Sequence, residues 1–257
     1  MAYGTVPAPK KAHPLNARLY CIPERAATAQ AAAIITVPFE LASKEEEVPT
    51  GLEDQLRNEF NAELEKGITY PQRGSMGVTE FRNYFLSYDL IVGILIAQEE
   101  AEVLIGHPLK PTDDDIELQA TKSRLLEGRD WERAYAFSYY IKPNYPGRSS
   151  HLCNAGFVVP PSHRGLGLGG VAGRTFLHYG PLAGYRGSVF NLVYANNEAS
   201  VRIWERLGFS RIGRIPQAGL LKTKDGKSEE YVDAWIIHGD FATLGKHGKS
   251  ALPAPAE

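Results

Sequence analysis

The sequence predicts an α/β fold, a central sheet flanked by helices, and two observations carry the prediction. The first is the stretch Arg164-Gly165-Leu166-Gly167-Leu168-Gly169-Gly170, followed at once by a segment that reads as helix from about Val171 to Tyr179. The second is the order of elements around it: strand, glycine loop, helix, strand, helix, Gly-Phe, strand. Strand and helix patterns alternating in this way specify a sheet covered by helices.

Taken in order, the chain opens with a Pro/Ala/Lys-rich segment to about Leu19 that reads as a flexible tail. The run Ala31 to Leu41 reads as a strand, although Pro38 interrupts it. From Leu52 to Lys66 the apolar residues Leu52, Leu56, Phe60 and Leu64 recur every four positions, so one helix face is apolar; Thr50 is placed to cap its start and Gly67 its end. A second helix is expected from Val78 to Tyr88, with Ser75 or Thr79 near its start, and Asp89 leads into a strand from Leu90 to Ala97. The polar stretch from Glu99 to Asp130, with Pro108, Pro111 and three consecutive aspartates, reads as a long excursion. Strands are expected at Ala134 to Ile141 and Cys153 to Val159, then, beyond the glycine loop and its helix, at Ser188 to Tyr194. Glu198 to Leu207 reads as a helix closed by Gly208, and Phe209 to Ile215 and Tyr231 to Ile237 as two final strands.

Composition narrows the function. With 257 residues, 43% hydrophobic and 23% charged, the chain has the makeup of a globular protein, and a net charge of −2 argues against a general nucleic-acid binder. Its longest apolar run is the eight residues Leu90 to Ala97, so no membrane partner is expected. Two cysteines, Cys21 and Cys153, make no disulfide framework and fit a reducing compartment. A cytoplasmic location is expected, with mitochondrial targeting as the alternative that the basic, acid-free residues before Glu24 leave open. Basic character is local: no Asp or Glu occurs from Ala134 to Asn197, while Lys142, Arg148, Arg164, Arg174 and Arg186 do. A polyanionic ligand is drawn to such a region.

The glycine loop is suited to phosphate oxygens, because its amides converge and the following helix adds its positive end. Gly165, Gly167 and Gly170 satisfy G-x-G-x-x-G, the dinucleotide fingerprint, but the acid that fingerprint requires about 20 residues later is missing. Arg164, Gly167 and Gly169 satisfy a second pattern, Arg/Gln-x-x-Gly-x-Gly/Ala, which resembles the coenzyme A loop of the GCN5-related N-acetyltransferase (GNAT) superfamily. The segment Asn197 to Phe209, ending Trp204-Glu205-Arg206-Leu207-Gly208-Phe209, is similar to that superfamily's Asn…Ala…Tyr-x-x-x-Gly-Phe signature, with Trp204 where the tyrosine stands. The stretches 67–71, 140–145, 153–157, 190–193 and 211–213 resemble the fungal subfamily of azetidine-2-carboxylate N-acetyltransferases.

The resemblance implies a mixed central sheet with two splayed parallel strands and a division into a flexible tail (1–22), an N-terminal part with substrate-side helices and a variable insertion (23–132, insertion 99–130), an acetyl-CoA-binding core (133–244) and a second tail (245–257). It implies an acetyl-CoA-dependent N-acetyltransferase, a homodimer, acting on a small amino or imino acid such as azetidine-2-carboxylate or a proline-related compound, in detoxification and oxidative stress tolerance. Acetyl-CoA is expected at Phe157, Val158 and Val159, along the loop from Arg164 through Gly165, Leu166, Gly167, Leu168 and Gly169 to Gly170, and at Asn197. Substrate is expected at Asn154, Phe157 and Asn191, and catalytic roles fall to Asn154, Asn191 and Asn197.

The residues themselves leave alternatives open. Asn197 is well placed as a helix cap, and Phe157 as a core residue. The acid-free core holds no carboxylate base, and Tyr194 or Tyr179 would have to replace the thiolate acid that Trp204 does not provide. His151, Cys153 and His163 match no common zinc spacing, so no metal is expected. A protein or peptide N-acetyltransferase and a non-catalytic acyl-CoA-binding module are the competing readings.

Overall fold

A computed structural model describes residues 6–28, 30–43 and 45–247. Among these, nine strands form one sheet: β1 (Arg18–Cys21), β2 (Ala33–Glu40), β3 (Asp89–Ile96), β4 (Ile116–Glu117), β5 (Tyr135–Pro143), β6 (Leu152–Val158), β7 (Gly187–Tyr194), β8 (Ser210–Lys222) and β9 (Glu229–Asp240). Their spatial order is β4-β1-β2-β3-β5-β6-β7-β9-β8. All neighbours are antiparallel except β6 and β7, which run parallel. The helices are α1 (Thr50–Lys66), α2 (Val78–Phe85), α3 (Gln98–Ile105), α4 (Lys122–Leu126), α5 (Trp131–Ala134), α6 (Leu168–Leu182), α7 (Glu198–Arg206) and α8 (Phe241–His247). The sheet is mixed and flanked by helices, with β6–β7 as the parallel pair among the described strands.

The sheet separates two apolar cores. On one face Phe176 and Tyr179 of α6 and Trp204 of α7 pack on Phe137, Tyr139, Ile141 and Phe190. On the other, Leu52, Leu56, Phe60 and Leu64 of α1 and Phe81 and Phe85 of α2 pack on Tyr135, Tyr140 and Val158. The assignment follows from pleating: successive residues of β5 point to opposite faces, so Tyr139 and Ile141 belong to one core and Tyr140 to the other. The four-residue spacing of α1 has put its whole apolar stripe inside.

Several expectations are corrected. The segment 1–22 reads as a flexible tail, but its described part, from Val6 onward, is built into the fold. Leu15, Leu19 and Tyr20 are buried, β1 pairs with both β2 and β4, and Lys11 bridges Glu40 and the buried Asp89. The excursion over 99–130 holds β4, α4 and all but the first residue of α3; Ala101, Leu118 and Leu125 are buried within it, and Arg129 ties it together through Glu100. Thr50 is the first residue of α1 and not its cap; Pro49 holds that position without a side-chain hydrogen bond, and neither Ser75 nor Thr79 caps α2, which begins after Gly77. Gly67 does end α1, in the left-handed conformation at φ 63°. Pro38 is tolerated because β1 pairs with β2 only as far as Thr36, so beyond it β2 has an open edge. Of the expected tail over 245–257, residues 245–247 close α8 and the remainder lies outside the described residues.

Candidate active site

The parallel pair β6 and β7 is hydrogen-bonded only at Leu152–Gly187 and Cys153–Ser188. From Asn154 onward the two strands diverge, and β7 carries a bulge between Phe190 and Val193 against β9. A bulge bends its strand and increases its twist, which opens the gap further. Between the strands, the facing backbone groups are released from the ladder.

The glycine loop stands at the far end of β6. Gly165 and Gly167 adopt φ of 76° and 87°, the region that favours glycine, and Gly167 precedes the first residue of α6. Gly170 N–H donates to Gly167 O, but no acceptor on a described residue is engaged by the amides of Gly165, Leu166, Gly167, Leu168 or Gly169. Five consecutive orphan donors at the positive end of a fifteen-residue helix make an anion cradle.

Arg164 does not point its charge into that cradle. Its guanidinium pairs with Glu63 of α1 and its Nε donates to Val159 O (3.2 Å). Glu63 is buried; burial alone would raise its affinity for a proton, yet hydrogen bonds from Thr69 and Arg164 outweigh this and hold the carboxyl below its usual range. The cation that does reach the loop is Arg25, from the short turn after β1: a Cβ at Gly167 would lie 2.7 Å from Arg25 Nη2. No sequence pattern marks Arg25, because its neighbour in space is 142 positions along the chain.

The three asparagines meet different fates. Asn197 caps α7, its Oδ1 accepting from Ser200 N at 3.2 Å. Asn191 forms a reciprocal carboxamide pair with Asn144 (3.0 and 2.6 Å) and also accepts from the Tyr145 hydroxyl at 3.3 Å. Asn144 donates as well to Val189 O, so the loop after β5 is strapped onto β7. Asn154 makes no side-chain hydrogen bond to a described residue; it is half-buried and lies in register with Lys142 of β5, on the face covered by α2. Both Asn144 and Lys142 stand in the stretch 140–145 that carries the resemblance, yet nothing in their spacing gave them a role.

Phe157 is half-buried and packs into the α6/α7 core, its ring 4.7 Å from Tyr139 and 5.0 Å from Trp204. Val158 points the other way, and its neighbour Val159 packs beside the loop. Trp204 is buried with its indole N–H donating to Ser200 Oγ, and an indole N–H is a hydrogen-bond donor far too weakly acidic to protonate a thiolate. Of the two candidate tyrosines, Tyr179 is enclosed away from the splay, bonded to Thr36 and Asn16 O. Tyr194 lines a cavity of about 750 Å³ between the 67–74 loop and β8, and its hydroxyl is buried without a partner among the described residues. Burial raises the Tyr194 pKa, so this hydroxyl keeps its proton. The described residues include no group of three or more His, Cys, Asp or Glu arranged to hold a metal.

The profile of the Acetyltransferase (GNAT) family matches residues 126–209, a span that runs from before β5 through the glycine loop to the end of α7. Over 185 residues the chain is 40% identical to N-acetyltransferase aca1 of Schizosaccharomyces pombe, covering 72% of this chain and 78% of that protein. The chain belongs to the GNAT family. It is an N-acetyltransferase with a GNAT fold, and GNAT acetyltransferases use acetyl-CoA. Among solved structures, a GCN5-related N-acetyltransferase from Kribbella flavida superposes with a TM-score of 0.56 at 18% identity, over 80% of this chain and 97% of that one. The structure of yncA from Salmonella typhimurium, determined with its cofactor acetyl-CoA, superposes at 0.51 and 14% identity over 80% and 94%. At such identities the likeness is one of fold.

The residues of this GNAT site fit that cosubstrate. The orphan amides from Gly165 to Gly169 match the oxygens of a diphosphate, and the opened edges of β6 and β7 match the amides of a pantetheine arm, which pairs as an added strand would.

Proposed function

We propose that this protein transfers the acetyl group of acetyl-CoA to the nitrogen of a small amino or imino acid whose carboxylate is free, azetidine-2-carboxylate or a proline-related compound being the model acceptors. The observation that carries the reading is the chemistry of the splay: an uncommitted carboxamide at Asn154, a buried cation beside it and no carboxylate on β5, β6 or β7 up to Tyr194. An acceptor bearing a second cation, such as a lysine side chain, would gain nothing there.

Acetyl-CoA supplies an activated thioester carbonyl. The amides of Gly165 to Gly169, with Arg25, would hold its diphosphate, while Val158, Val159 and Phe157 of β6 would line the arm. Asn154 would hold the acceptor. Asn191, held by Asn144 and Tyr145, acts as a positioning residue that fixes the far side of the splay, and Asn197 keeps the start of α7 in place. Tyr194 would donate the proton that the leaving thiolate takes. With Glu63 committed to Arg164 and Thr69, the acceptor's proton leaves through water. The further expectations of a homodimer and of a detoxifying role belong to the same reading; β8, the outer of the described strands, exposes Ile212, Ile215 and Leu220 beside an edge that no further described strand covers, where a second copy would fit.

The test is release of free coenzyme A from acetyl-CoA in the presence of a panel of amino acids, cyclic imino acids and peptides. Turnover with small free acids supports the proposal; turnover with peptides alone supports a protein acetyltransferase, and binding without turnover a non-catalytic module. Tyr194→Phe should lower kcat about a hundredfold with little change in either KM, and an unchanged kcat would remove Tyr194 as the acid.

A further inference from the structure

Lys142 is a buried ammonium that no anion of the described chain answers. It is 7% exposed, and its Nζ lies 4.4 Å from the ring centroid of Tyr84 and 4.3 Å from that of Tyr140. These two tyrosines bond to each other through their hydroxyls at 3.1 Å, so they form a fixed aromatic wall. No carboxylate of a described residue forms a salt bridge with Lys142. Lysine is almost never buried without a partner, because stripping water from an ammonium is costly and aromatic faces return only part of that.

Lys142 has a neighbour with the complementary deficit. Asn154 lies directly opposite it in the β5–β6 register, and opposite residues of an antiparallel pair project to the same face. Asn154 is half-buried, makes no side-chain hydrogen bond to a described residue and stands at the first position where β6 leaves β7. A cation without a described counter-ion and a carboxamide without a described partner thus stand on facing residues of β5 and β6, on one face of the sheet, where the splay begins. Chloride-sized ions would need only the charge; two donors set side by side on rigid strands match the two oxygens of a carboxylate.

We propose that Lys142 is the counter-charge for the acceptor's carboxylate, acting with Asn154 and held in place by the rings of Tyr84 and Tyr140. The inference rests on the amino-acid reading given above and adds to it the residue that distinguishes a free acid from its ester. It also explains an economy of the site: with the anion of the acceptor neutralised by Lys142, its amine is left to face the thioester without a competing acid nearby.

The experiment compares azetidine-2-carboxylate with its methyl ester on wild type, Lys142→Met and Lys142→Arg, reading KM and kcat separately, with KM for acetyl-CoA as the internal control. Binding of the acid to the coenzyme A complex, measured by calorimetry, gives a readout independent of turnover. The expected result is that wild type prefers the acid and that Lys142→Met erodes the acid-over-ester preference at least tenfold through KM, while Lys142→Arg keeps part of it. If wild type prefers the acid and Lys142→Met retains that preference, Lys142 is a packing residue and the inference fails alone. A wild type that prefers the ester overturns the amino-acid reading, and this inference with it. Should Lys142→Met not fold, Lys142→Gln carries the same comparison with the same two outcomes.

Discussion

Gly170 is the residue at which folding and cosubstrate binding can be told apart. Nothing lies within 4 Å of where its Cβ would be, and it is the third residue of α6. A glutamate there removes a helix-weakening glycine and places a negative charge on the first turn, which together favour the helix by about 1 kcal/mol. The same charge repels a diphosphate. Gly170→Glu should therefore leave the melting temperature unchanged or raised while coenzyme A binding, followed by calorimetry, disappears; near wild-type affinity would remove the loop from the account. Gly169 serves this purpose less well, since a Cβ there meets Ile203 of α7 at 3.1 Å and disturbs helix packing at once. Lys142 offers a second separation of function from stability. Burial pulls its pKa from 10.5 down to about 8, so below pH 8 the folded state bears the full cost of a desolvated charge, and stability rises as pH increases from about 8 towards 10.5. Lys142→Met should stabilise the protein at pH 7 by up to about 3 kcal/mol, and the gain should shrink towards pH 10. Thermal melts at the two pH values check this; a loss of stability at pH 7 would mean that the cation–π contacts outweigh desolvation.

At the scale of elements, β6 and β7 divide the asparagines that sequence alone treats as one group. Asn154 is uncommitted, so Asn154→Ala should raise KM for the amino acid roughly ten- to a hundredfold with little effect on melting. Asn191→Ala orphans the Asn144 carboxamide and loosens the strap between β5 and β7, so it should lower stability by about 1–3 kcal/mol as well as activity. Equal behaviour of the two variants would contradict the difference in their hydrogen bonding. The elements themselves were legible where one periodicity governs: the α1 stripe, the alternation in β5 and β7 and the cap at Asn197 all depend on residues within one or two turns. Thr50 is not the cap its residue type suggests, because the preceding Pro49 already provides an extended residue at that position, without a side-chain hydrogen bond. Asn144 and Arg25 were not legible at all. Each gains its place from partners 45 or more positions away, and no local pattern encodes such an encounter.

For the whole molecule, the N-terminal segment is the largest departure from what the sequence suggests. Its prolines and alanines read as a tail because they lack a period, yet its apolar residues are buried one at a time against partners far along the chain. Tyr88 exchanges two hydrogen bonds with Val6, and the Tyr179 hydroxyl donates to Asn16 O. Deleting residues 1–22 should consequently cost several kcal/mol, because it uncovers β2, breaks the Lys11–Asp89 pair and removes the support beneath Arg25. Soluble expression and the melting temperature of the truncated chain measure the effect, and a truncated protein as stable as the full chain would contradict it. The central claim concerns chemistry, and one comparison addresses it most directly: kcat/KM with acetyl-CoA for azetidine-2-carboxylate, for its methyl ester and for a lysine-containing peptide. A site with a buried cation, free amide donors and no carboxylate on its central strands should favour the free acid over both others by at least tenfold, whereas preference for the ester or the peptide would contradict the account.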